Sequence, residues 1–153
     1  QAEDREKRLK RALENVRKLF NFSLIDCPPS LGFLTINALS AADSILIPVQ
    51  AELFCMEGIP DLFYTLDMVR TYFKPQLYIE GILLTMFDER TNLARQVADE
   101  IKNSLRGVLL NTIIPRSVRL AEAPSFGKPI VLYDPKSKGA EAYLNLAEEL
   151  IKK

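Results

Sequence analysis

The chain has 153 residues, 48% of them hydrophobic, which is enough apolar material for one ordinary domain with a buried core. Twenty lysines and arginines balance twenty aspartates and glutamates, so no net field drives the molecule toward nucleic acid or an anionic membrane, and any such partner must use a local patch. Histidine is absent, which excludes Ser-His and Cys-His catalysis and removes the commonest zinc ligand.

Apolar segments of strand length alternate with segments of helical period, which predicts an α/β fold of βαβ units: a mainly parallel sheet with flanking helices. Residues 4–19 read as the first helix, with Leu9, Ala12, Leu13, Val16 and Leu19 on one face. Arg5, Lys7, Arg8, Lys10 and Arg11 lie mostly elsewhere on it, as a solvated face or a nucleic-acid contact. Residues 22–26 read as the first strand, ending on Asp26, because Pro28 and Pro29 forbid continuation as strand or helix. A short helix follows over 33–42, then a strand over 44–49 that is apolar enough to be covered on both faces.

The next helix, over 57–74, carries Ile59, Leu62, Phe63, Leu66, Val69 and Phe73 at helical spacing and is ended by Pro75. Residues 77–86 form a strand with Gly81 inside it, and Asp88 or Thr91 can cap a helix reaching 105 whose buried face is Leu93, Val97, Ile101 and Leu105. The last strand, over 108–114, is closed by Pro115. A proline-rich segment over 124–135 leads to Ser137, which caps a final helix with Ala140, Tyr143, Leu144, Ala147 and Leu150 inward. No apolar run approaches the roughly 20 residues that a membrane-spanning helix needs. Cys27 and Cys55 lack C-x-x-C spacing and no leader-like segment precedes them, so both are expected to be reduced, buried thiols in the cytoplasm.

A carboxylate closing a buried strand sits where open α/β sheets place their ligands, and Asp26 can there hold a magnesium ion through a bound water. It can equally accept the hydrogen bonds of a tight turn. None of the 153 residues matches G-x-x-x-x-G-K-[ST], the loop whose amides and lysine cradle phosphates.

The run Leu24-Ile25-Asp26-Cys27-Pro28-Pro29-Ser30-Leu31-Gly32, followed by Ala41-Ala42-Asp43-Ser44-Ile45-Leu46-Ile47-Pro48-Val49-Gln50, resembles the ParA/Soj chromosome- and plasmid-partition ATPases. So do Leu84-Thr85-Met86-Phe87-Asp88-Glu89-Arg90-Thr91-Asn92-Leu93, Ile114-Pro115-Arg116-Ser117-Val118-Arg119-Leu120-Ala121-Glu122-Ala123-Pro124-Ser125 and the closing Tyr133-Asp134-Pro135-Lys136-Ser137-Lys138-Gly139-Ala140. The resemblance spans nearly the whole chain but only the back part of the family. It implies a partial P-loop NTPase fold of the SIMIBI type: residues 1–153 are the carboxyl-terminal portion of the ATPase domain from the Walker B strand onward, without the amino-terminal phosphate-loop part.

The roles implied are these. Asp26 binds the magnesium of ATP through water, and the loop 27–32 senses the γ-phosphate. Thr85, Met86, Pro115, Arg116 and Ser117 contact the adenine, with Ser117 standing where the family often has asparagine. Arg90 and Arg119 contact DNA without sequence preference, and Arg95, Lys102, Lys128 and Lys136 extend that patch if the fold gathers them on one face. Family membership further implies a homodimer, a ParB-like centromere-binding partner and a cytoplasmic, nucleoid-associated protein. The chain alone is expected to be inactive, since phosphoryl transfer needs the missing cations and amides. The absent phosphate-loop strand is expected to leave a gap that is closed by a second copy, by swapping or by repacking. Two alternatives are a non-catalytic DNA- or partner-binding module, and a MinD-like ATPase at a membrane, for which a terminal membrane-inserting helix is lacking.

Overall fold

The computed structural model describes residues 4–28, 30, 32–52, 55–105 and 107–152, with backbone only at 55–57. Pro29 and Leu31 of the proline loop and the side chain of Cys55 therefore lie outside the described residues. The chain divides into two compact units, Gln1–Ile45 with Glu57–Tyr78, and Leu46–Met56 with Ile79–Lys153.

In the first unit a 3-10 turn, Arg5–Lys7, leads into α1, Arg8–Leu13, and both pack against α2, Phe33–Ala41. The Arg5 guanidinium lies 4.0 Å over the Phe33 ring, and the Leu9 amide donates to Asn37 Oδ1 at 3.4 Å. The predicted first helix is thus cut short, continuing only as turns to Leu19, and none of α1 is buried. Its apolar stripe is only partly covered: Ala12 and Leu19 face solvent while Leu9, Leu13 and Val16 are half-covered. α3, Cys55–Tyr72, follows its predicted stripe, with Leu66 and Val69 fully buried. Asp43 accepts hydrogen bonds from Arg17 and, at 3.2 Å, from Lys74, tying the turn after α1 to the end of α3.

The predicted strand over 22–26 is absent. The segment has no regular secondary structure, none of its backbone groups is laddered among the described residues, and Leu24 is 94% exposed. A strand exists only by pairing, and here no neighbour supplies the bonds.

The second unit holds the parallel sheet, in the order β1-β2-β3: β1 is Ser44–Gln50, β2 is Tyr78–Phe87 and β3 is Leu109–Pro115. Gly81 is required inside β2 because a Cβ there would come 2.5 Å from Leu110 Cδ2 on β3. α4, Asn92–Ser104, is capped by Thr91, whose hydroxyl accepts from the Ala94 amide at 3.3 Å. Its buried face is Ala94, Val97 and Ile101; Leu93, expected inside, is exposed because the stripe begins one residue later. α5, Val118–Glu122, follows β3, and the proline-rich segment after it folds into a 3-10 turn, Ala123–Phe126, and α6, Ile130–Tyr133.

α7, Lys138–Ile151, starts at Ser137, whose hydroxyl accepts from Ala140 at 3.2 Å. Its buried residues are Gly139, Ala140, Ala142 and Leu146, with Ala142 and Leu146 against the strands and Ala140 against Ala123 and Ile130, so Tyr143, Leu144 and Ala147, expected inward, point out. At its first turn α7 comes close to α5: a Cβ at Gly139 would lie 2.8 Å from Leu120 Cγ. Leu83, Leu110, Ile114, Ala142 and Leu146 form the core beneath.

Candidate functional site

Asp26 is exposed and makes no hydrogen bond or ion pair among the described residues. It closes an unpaired segment rather than a strand, which corrects the expected placement. Its carboxylate is nevertheless uncommitted, as a water-mediated magnesium ligand must be, and one carboxylate is sufficient for a cation that keeps most of its waters. No group of three or more acidic or thiol side chains gathers for direct coordination among the described residues. Next to it Cys27 is exposed, not buried as expected. Desolvation first, and the charge of Asp26 second, push its thiol up, so the group stays protonated at neutral pH. Beyond the loop, Thr35 donates its hydroxyl to the Ser30 carbonyl and the Ile36 amide donates to Gly32 at 3.1 Å, fixing the entry to α2.

In the second unit the carboxyl ends of the strands are tied to one another. The Ala51 amide donates to the Thr85 carbonyl at 3.3 Å, the Thr85 hydroxyl donates to the Val49 carbonyl at 3.3 Å, and the Arg116 amide donates to the Phe87 carbonyl at 2.9 Å. Residues 85 and 87 would address the same neighbour in a regular parallel strand. Here they address opposite ones, because Met86 takes a left-handed backbone (φ 51°) and the β2–β3 register slips between Leu84↔Ile113 and Phe87↔Pro115. Thr85, Met86, Pro115, Arg116 and Ser117 lie at or just beyond the carboxyl ends of β2 and β3, the place where open α/β sheets hold ligands, and of the five Pro115 and Arg116 line an open groove. Met86 is partly exposed there, and the Ser117 hydroxyl makes no hydrogen bond to α5.

That groove, of about 740 Å³, runs from these strand ends along β3 to α7, lined among others by Arg90, Pro115, Arg116 and Lys138. Arg119 is not part of its lining. The two arginines expected on DNA are therefore separated into different surroundings, and each already holds a carboxylate. Arg90 is 88% exposed and grips Asp88 through Nε at 2.9 Å and Nη2 at 2.7 Å. The side-chain and backbone hydrogen bonds from Arg90, with a weaker pull from the charge of Arg116, hold Asp88 down to about 2. Arg119 pairs with Glu122 at 3.1 Å and Asp134 at 3.5 Å, and Tyr133 donates to the same Glu122 at 3.1 Å. Arg95 spends its guanidinium on the Glu89 carbonyl at 2.6 and 3.0 Å, whereas Lys102, Lys128 and Lys136 are exposed.

Sequence reasoning missed Lys138 as a groove residue and Arg116 as a neighbour of Arg90. Both follow from the spacing of strand ends and the first turn of α7, which no local motif reports.

A family model described as an AAA domain matches residues 1–79. The sporulation initiation inhibitor protein Soj of Bacillus subtilis is 57% identical over 146 residues, covering 95% of this chain and 58% of that protein. The chromosome partitioning protein ParA of Myxococcus xanthus is 52% identical over 151 residues, 99% of this chain and 53% of that protein. The chain thus spans little more than half the length of these relatives. Among solved structures, cobyrinic acid a,c-diamide synthase from Mycobacterium smegmatis with bound ADP and magnesium is similar with a TM-score of 0.79 at 35% identity, over 97% of this chain and 54% of that one.

Proposed function

This chain belongs to the AAA domain family, in its ParA/Soj branch, and from that premise we propose that it is the carboxyl-terminal portion of a DNA-partitioning ATPase. The observation that carries the reading is the tied pair of strand ends. Thr85, Met86, Pro115, Arg116 and Ser117 lie at or just beyond the carboxyl ends of β2 and β3, where partly exposed apolar surface and a hydroxyl without a capping role offer what a purine ring requires. The adenine of ATP would lie there, against Pro115 and Met86, with Ser117 as the polar contact. Asp26 would hold magnesium through water, and the ion's part is to neutralise phosphate charge.

The 153 residues contain no phosphate loop, so base contacts alone leave the triphosphate unheld and the chain by itself does not turn ATP over. Turnover and ATP-dependent dimerisation belong to a longer protein of the length its relatives have. DNA binding without sequence preference runs through Arg90 and Arg119, where phosphate oxygens displace Asp88, Glu122 and Asp134 from exposed pairs that contribute little by themselves. A ParB-like partner acts on the dimer.

The test compares this chain with one extended to the length of its relatives for ATP turnover and salt-dependent DNA binding. Turnover in the longer protein only, and DNA binding lost in Arg90→Gln with Arg119→Gln, is the expected result. Absence of turnover in both proteins would leave a non-catalytic DNA- or partner-binding module, and DNA affinity unchanged by both substitutions would remove the arginines from the interface.

A further inference from the structure

The outer edge of β3 carries a carboxylate clamp that the functional reading does not use. Oε1 and Oε2 of Glu149, in the last turns of α7, accept from the Asn111 amide at 2.7 Å and the Thr112 amide at 2.8 Å, and Asn111 Nδ2 adds a third bond at 3.1 Å. Successive amides of a regular strand point to opposite edges, so one side chain cannot reach both. The register explains how it does: Ile82 faces Leu109 and Leu84 faces Ile113, so two steps on β2 are matched by four on β3, and the surplus turns both amides outward as an anion nest.

Glu149 is not in this position by default. A carboxylate near a helix carboxyl terminus opposes the helix dipole. Partial burial also pushes Glu149 up, yet the hydrogen bonds from Thr112 and Asn111 outweigh it and hold the group below the ordinary glutamate value. The site is therefore built for an anion, and α7 supplies it in cis.

β3 is the last strand in the order β1-β2-β3, and among the described residues no strand covers its outer edge. An uncovered edge offers its amides and carbonyls to an identical edge of another molecule. We propose that Glu149 is an intramolecular plug of this edge: by occupying the two outward amides of the β3 bulge it prevents strand pairing with a second copy of the chain.

The experiment replaces Glu149 by alanine and by glutamine in the 153-residue chain, with Glu148→Ala, next to it and paired only with Lys152, as control. Amide hydrogen exchange is read at Asn111 and Thr112, and mass by sedimentation velocity over a concentration series. Glu149→Ala should exchange at those two amides about tenfold faster, the factor expected for losing a hydrogen bond to a charged acceptor, and should gain mass with concentration. Glu149→Gln, which keeps one acceptor oxygen, should fall between, and it carries the test if the alanine variant does not fold. Parent-like exchange at both amides, or a mass that stays monomeric in whichever variant folds, would overturn the proposal.

Discussion

Asp88 and Arg90 sit two residues apart on an exposed turn, and their pairing shapes what the groove offers to a phosphate. The lowered pKa of Asp88 has a defined sign: the stabilisation it reports is fully present above the ordinary carboxylate value and is lost as pH falls toward about 2. A carbon-detected titration should find the Asp88 midpoint near 2, returning toward about 3.9 in Arg90→Gln. A midpoint already at the ordinary value in the parent would mean the pair does not form in solution. The same geometry makes Asp88 a competitor of any anion for Arg90. Asp88→Asn keeps the oxygen that receives the Arg90 amide at 3.1 Å while removing the charge, so DNA affinity at low salt should rise, and a fall would assign Asp88 a direct role. Gly81 is decided by packing instead. The Cβ of Gly81→Ala would press within 2.5 Å of the buried Leu110 side chain, and overpacking of this kind costs about 1–3 kcal/mol, readable as a lower urea midpoint at unchanged slope.

At the scale of elements, β2 ends in a kink that depends on one left-handed residue. Met86→Gly should leave the strand ends tied, whereas Met86→Val, a β-branched residue forced to φ 51°, should break the Arg116–Phe87 bond and speed exchange of the Arg116 amide. Equal exchange in both variants would show that the kink does not need that backbone. This feature was not legible in the sequence, since a methionine carries no signal for a left-handed turn. The caps were: Thr91 and Ser137 each precede a helix and each accepts the amide three residues on. Strands β1 to β3 were legible as apolar runs, and the residues proposed to contact the base stand at or just beyond the carboxyl ends of β2 and β3. The inward face of α7 was misread because large residues were taken for the core face, while its first turns admit only small ones, Gly139 against Leu120 and Ala140 against Ala123 and Ile130. Residues 22–26 read as a strand on composition, but pairing is not a property of the segment itself.

For the whole molecule, that same segment sets the clearest requirement. Leu19 at the end of the turns after α1, and Phe20, Phe22 and Leu24 in the unladdered segment that follows, are all exposed. Covering each such side chain is worth about 1.5–3 kcal/mol, and leaving their amides and carbonyls unladdered forgoes hydrogen bonds as well. Of Soj of Bacillus subtilis, 58% is matched here, so roughly two fifths of that relative lies outside the match. In a protein of that length, a further strand lying beside residues 22–26 would ladder the segment, cover its apolar side chains and set Asp26 at a true strand end beside a phosphate loop. Hydrogen exchange then distinguishes the two states. Amides 22–27 of the 153-residue chain should exchange at rates close to an unstructured peptide and show no change with ATP and magnesium. The same amides in the longer protein should be protected, more so with nucleotide bound. Protection of 22–27 in the short chain at a concentration where it is monomeric would mean that the segment finds its partner within these residues, and the role of Asp26 would have to be argued afresh.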